Sequence, residues 1–101
     1  MSFGVSIVNL SQSWRDNYGL KQNGVRVTEV EPNSFADDIN LLPNDVITEI
    51  NHQAINSTDD VKRIQATLKP GDAVAFRVLR RPGNRGEWQA NFLAGTLPTT
   101  R

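Results

Sequence analysis

The chain has 101 residues, 38% of them hydrophobic and 22% charged, and its eleven basic side chains balance eleven acidic ones. That length supports one domain with one core, and a neutral balance supplies no electrostatic footprint for a nucleic-acid backbone or an anionic membrane surface. No apolar run approaches the length of a membrane span, and with no cysteine there is neither a disulfide framework nor thiol chemistry.

Met1 leads directly into domain-like sequence, so no signal peptide is expected. Residues 4–10, GVSIVNL, read as a strand dense in β-branched residues, with Val5 and Ile7 on one face. Ser11 is placed to cap a short helix over QSWRDNY, and Gly19 stands where that helix would end. Trp14 and Tyr18 are four apart and share one side of it, an arrangement read as packing. GVRVTEV, 24–30, is a second strand with Val25 and Val27 facing one way. SFADDI, 34–39, is a helix of about one turn capped by Ser34, and Asn40 follows as a left-handed terminator.

DVITEIN, 45–51, is a third strand whose Val46, Ile47 and Ile50 occupy both faces, as in a strand covered on each side. The main helix begins at Ser57, with Asp60 three positions on to complete a capping box. Val61, Ile64 and Leu68 form its apolar stripe, and KPG at 69–71 ends it. AVAFRVLR, 73–80, and EWQANFL, 87–93, alternate as strands, with RPGNRG, 81–86, as the hairpin loop between them. Residues 94–101 lack a pattern and are expected to be a disordered tail. The sum is an α+β domain: a small curled sheet of five to six strands, a partial barrel capped by one main helix and one or two short ones.

Three corners carry Asn40, Asn44 and His52 where the backbone turns sharply. Glycine is the default at positive φ, and Asn, Asp and His are its commonest substitutes. Ordinary polar loop residues are the plainer reading of the same positions.

With those corners in place, the run from Gly24 to Arg81 resembles the PDZ domains of HtrA/Deg-type bacterial serine proteases. Those carry A-x-x-x-G-L-x-x-G-D-V-I followed by a strand ending in N-G. Here the matching positions are Ala36, Asn40, Leu41, Asn44, Asp45, Val46, Ile47, Asn51 and His52, with all three departures at glycines. FGVSIVNLSQSWRDNYGL resembles the start of the same domains, so a single PDZ-like domain over 1–93 is expected. The resemblance implies a peptide-binding module without catalysis of its own. It would capture extended or C-terminal peptide segments by strand addition and serve an attached periplasmic serine endoprotease in protein quality control. Peptide or protein C-termini and the protease domain of the parent chain are the implied partners; nucleic acid, membrane insertion and cofactors are not. The implied site is the strand from Val5, its preceding loop, and the main helix. Phe3, Gly4, Val5, Ser6 and Ile7 would form one wall, with loop amides converging on a terminal carboxylate. Phe3, Val5 and Ile7 share parity and would line the pocket for the last side chain. Thr58, Lys62 and Gln65, with Ala66, would form the other wall, because Val61, Ile64 and Leu68 face the core. That second wall is polar, which also suits a structural or docking domain that mediates interdomain or oligomer contacts without taking free termini.

Chemistry is hard to find elsewhere. The single histidine, His52, lies on a turn, and no G-x-S-x-G elbow is present. Asp37–Asp38 and Asp59–Asp60 fit the positive ends of helices better than an acid/base couple or a metal site. Arg77, Arg80, Arg81 and Arg85 gather near the last hairpin, but in a neutral chain they read as a solvated surface.

Overall fold

A computed structural model describes residues 3–81 and 87–98. In chain order the elements are β1 (Val5–Asn9), α1 (Gln12–Tyr18), β2 (Val25–Val30), α2 (Phe35–Asp38), β3 (Val46–Ile50), β4 (Gln53–Ala54), α3 (Thr58–Thr67), β5 (Ala73–Arg80) and β6 (Gln89–Thr96). The strands form one six-stranded sheet ordered β1-β2-β3-β5-β6, with β4 paired to β3, and every pairing is antiparallel. Strand β1 therefore ends the sheet, partnered by β2 and carrying a register shift between Ser6 and Ile7.

One face of the sheet holds the main core. Val25 and Val27 of β2, Ile47 and Ile50 of β3, and Val74, Phe76 and Val78 of β5 meet Phe35 and Ala36 of α2 and Val61 and Ile64 of α3. Each large apolar side chain buried there contributes about 1.5–3 kcal/mol. The opposite face carries a smaller cluster: Leu20, Val46 and Leu79, with Leu10, Trp14 and Trp88 packed against it. Neighbouring Val46 and Ile47 thus point into different clusters, and β3 is covered on both sides, as its mixed apolar pattern predicts.

Capping follows the sequence at the first two helices. The Ser11 hydroxyl accepts from the Trp14 amide at 3.0 Å, and Gly19 closes α1 in the left-handed region at φ 66. Ser34 accepts from the Asp37 amide at 3.2 Å. The corners Asn40, Asn44 and His52 have φ of 70, 77 and 67, and Asn33 and Asn51 join them at 63 and 50. Five L-residues hold geometry that glycine would adopt without strain.

Two expectations change. Ser57 makes no side-chain cap to α3. The Thr58 amide instead donates to Asn9 Oδ1 at 2.8 Å, and Asp60 accepts from the Asn56 amide at 2.8 Å. The cap of the longest helix is supplied by β1, which local spacing cannot reveal. Strand β6 also runs past Leu93 to Thr96, pairing residue by residue with β5 back to Ala73, and Leu97 is only 1% exposed. Residues 94–97, expected to belong to a tail, are instead part of the fold, because burying Leu97 in the main core holds the strand's end in place. The sixth strand of the expected five to six is the short β4, formed where His52 turns the chain back on β3. Of the hairpin loop expected over 81–86, all but Arg81 lies outside the described residues.

Candidate functional site

The first strand and the longest helix stand side by side at the open margin of the sheet. The segment leading into β1 is fixed to α2: the Phe3 carbonyl accepts from the Ala36 amide at 2.9 Å, and the Gly4 carbonyl from the Glu31 amide at 2.8 Å. Gly4 has φ +84, and a Cβ there would stand 2.2 Å from the Ser34 Cβ. Its close backbone approach is thus to the cap of α2, and no larger residue fits.

Phe3 differs from expectation. Its ring is fully buried in the main core, 5.1 Å edge-on from Phe76 and 6.1 Å from Phe35. Shared parity with Val5 and Ile7 placed it on the right face but said nothing of depth. Its side chain anchors the loop and offers no surface to a ligand. Val5 and Ile7 are half-buried against the core, while Ser6 is exposed and its carbonyl accepts from Thr28 Oγ1 at 3.1 Å.

On the helix, Val61 and Ile64 are buried and Leu68 packs at the core edge, so α3 is rotated as its apolar stripe predicts. Thr58 and Gln65 are half-buried; Lys62 and Ala66 are exposed. Two of these polar positions reach β1 directly. Gln65 Oε1 accepts from the Phe3 amide at 3.0 Å, and Asn9 Oδ1 accepts from the Thr58 amide at 2.8 Å. Strand and helix are strapped together at both ends, each time by a side-chain amide oxygen on a backbone N–H. The sequence reading included Phe3, Gln65 and Thr58 and missed Asn9, whose role depends on a residue 49 positions away.

Electrostatics beside the groove is local. The Asn56 amide, then the Arg63 guanidinium, hold the Asp60 carboxyl below its ordinary range. Asp37 similarly accepts from the Asn33 amide at 2.9 Å. Both acidic residues close turns at helix starts, the role expected for these pairs. Farther off, Asp45 is 1% exposed and receives Arg80 through both carboxylate oxygens, at 2.7 and 2.5 Å. Asp45 also accepts from the Leu42 amide at 3.0 Å, and Arg80 donates to the Asn40 carbonyl at 3.0 Å. One guanidinium thus ties the corner between Asn40 and Asp45 to the end of β5. The hydrogen bond to Asp45 raises the Arg80 pKa, so its charge persists through ordinary pH.

An edge strand entered through a positive-φ glycine loop and flanked by an amphipathic helix defines a class. Residues 2–88 match the PDZ domain family, and the chain belongs to it. Among curated proteins it is 38% identical over 78 residues to a probable periplasmic serine endoprotease, DegP-like, of Pseudomonas fluorescens, covering 77% of this chain and 16% of that protein. A protein of the same description from Halomonas elongata is 28% identical over 92 residues, covering 84% and 19%. The chain therefore spans less than a fifth of these relatives. Among solved structures, a variant of the HtrA-type protease AlgW with a decapeptide superposes with a TM-score of 0.82 at 26% identity, over 96% of this chain and 28% of that one. The HtrA3 PDZ domain bound to a phage-derived ligand has the same fold, with a TM-score of 0.67 at 20% identity over 95% and 86%.

Proposed function

We propose that this chain is the peptide-binding module of an HtrA-type serine endoprotease of the periplasm. It captures extended or C-terminal peptide segments by strand addition to β1 and delivers or signals them to a protease domain elsewhere in the parent protein. The chain contributes binding and no catalytic group. The observation that carries this reading is the terminal position of β1 in the sheet order, next to α3. An edge strand presents unpaired backbone groups that an extended peptide completes.

Val5, Ser6 and Ile7 form the strand wall, and the backbone of Phe3 and Gly4 forms the cradle for a terminal carboxylate. Thr58, Lys62 and Gln65 form the helix wall. The five residues of β1 extend about 16 Å, room for about five peptide residues. Ladder hydrogen bonds contribute about 1 kcal/mol each, and one buried side chain about 1.5–3 kcal/mol. After association entropy, a micromolar Kd, about −8 kcal/mol, is the expected order.

Titration with free-C-terminus peptides and their C-terminal amides tests the reading. Terminus capture requires that the amides bind more weakly. One observation favours a second reading, a docking domain: two side-chain straps tie β1 and the residue pair before it to α3. Docking predicts that free acids and amides bind equally weakly.

A further inference from the structure

On the sheet face opposite α3 lies a cavity of about 790 Å³, lined by α1, the corner at Pro43, and strands β2, β5 and β6. That volume is in the range of ligand sites. Three aromatic side chains stand together in its lining. The Trp14 ring lies 4.5 Å from Tyr18 and 6.0 Å from Trp88, and Trp88 Nε1 donates to the Tyr18 carbonyl at 2.8 Å, fixing the group.

Two arginines are stacked on these rings. Arg26 stands 5.6 Å from the Trp14 ring centre, and Arg81 stands 5.8 Å from Tyr18 and 5.5 Å from Trp88. Stacking uses the flat face of a guanidinium and leaves its N–H edge to pair with a carboxylate. Among the described residues, Arg63 pairs with Asp60 and Arg80 with Asp45, whereas Arg26 and Arg81 have no acidic partner. Arg81 Nε is buried and makes no hydrogen bond among the described residues. Asp45 also borders the cavity but is neutralised by Arg80, so the local balance is positive.

We infer that this cavity is a second recognition site, and that it takes an acidic peptide segment: glutamate or aspartate side chains on Arg26 and Arg81, with an aromatic or apolar residue between them against the rings. Charge complementarity selects the carboxylates. The flanking side-chain amides of Asn44, Gln89 and Asn91 suit a peptide backbone. A nucleic-acid strand would also stack on the rings, but two cations on a chain of zero net charge do not make a phosphate track. This site is independent of β1 and requires no free terminus.

The chain contains two tryptophans, and both line the cavity, so intrinsic fluorescence reports its occupancy. The probe is a hexapeptide with two glutamates flanking a phenylalanine, acetylated and amidated so that it offers no terminal carboxylate. A saturable change in tryptophan emission is expected. Replacing the probe's glutamates by glutamine should weaken binding about tenfold or more, as should Arg81→Gln or Arg26→Gln in the protein. Each variant is checked by circular dichroism, and the arginine that retains the native spectrum carries the comparison. The inference is overturned by an emission trace that does not saturate, by equal binding of the glutamine probe, or by a single-stranded oligonucleotide that binds more tightly than the glutamate probe. Terminus capture at β1 stands or falls separately, because the blocked probe cannot test it.

Discussion

Gln65→Ala gives the sharpest test of how the groove works. In the free domain the Phe3 amide already has an acceptor, Gln65 Oε1 at 3.0 Å. Phe3 opens the segment whose amides would hold a terminal carboxylate, so an arriving ligand must first displace the glutamine. The bond is partly buried, with a net worth of about 1 kcal/mol. Removing the side chain should lower the melting temperature by about 4–8 °C. Affinity for a free-C-terminus peptide should nevertheless rise, by up to about fivefold, because the amide no longer has to be vacated. Fluorescence anisotropy with a labelled peptide, selected by binding to the unaltered domain, measures the change. Gln65→Glu sharpens the contrast. An ionised carboxylate at the same amide is a stronger competitor, so binding should weaken at neutral pH and recover as pH falls below about 4.3. If the unaltered domain binds the peptide and Gln65→Ala binds it equally or more weakly, the glutamine is no competitor and this reasoning fails.

Four further outcomes are expected. Arg80→Ala leaves Asp45 buried with the Leu42 amide as the one partner of its side chain among the described residues, and should cost about 3 kcal/mol in urea denaturation; a loss within 0.5 kcal/mol, roughly that of an ordinary surface change, would contradict it. Asn9→Ala removes the acceptor at the start of α3, a loss of about 1 kcal/mol, with faster amide exchange at Thr58 as its specific mark. Asp60→Asn should lower the urea midpoint at pH 7. The folded carboxyl is depressed, so its contribution is complete above the ordinary value of 3.8 and is lost as pH falls through the folded value; the two proteins should then converge. Ile64→Asp buries a charge at a position 3% exposed and should abolish the cooperative melting transition; a retained transition would place α3 differently.

What the sequence made legible was local. Caps at Ser11 and Ser34, the terminators Gly19 and Asn40, and the alternation of 73–80 all depend on neighbours a few positions away, and all appear in the structure. The inward stripe of α3 was legible for the same reason, since Val61 and Ile64 fix its rotation. The features that shape the groove were not. Phe3 meets Gln65 across 62 positions and Thr58 meets Asn9 across 49; away from the groove, Asp45 meets Arg80 across 35. Nothing in the composition of Ser57 warns that its capping task passes to another strand. The four-residue spacing of Trp14 and Tyr18 predicts a packing pair, and their rings lie 4.5 Å apart. Their place in a cavity with Trp88 and Arg81 emerges only when α1 and the last two strands come together.

The two walls of the groove are coupled by replaceable side-chain tips, while the backbones on either side are held by their own sheet and core. Aperture is therefore a property that single substitutions at residues 9 and 65 can widen, tighten or make acid-responsive without rebuilding the scaffold. Each such change also draws about 1 kcal/mol from the stability of the domain, so how readily the walls part and how firmly the domain folds are linked through the same two side chains.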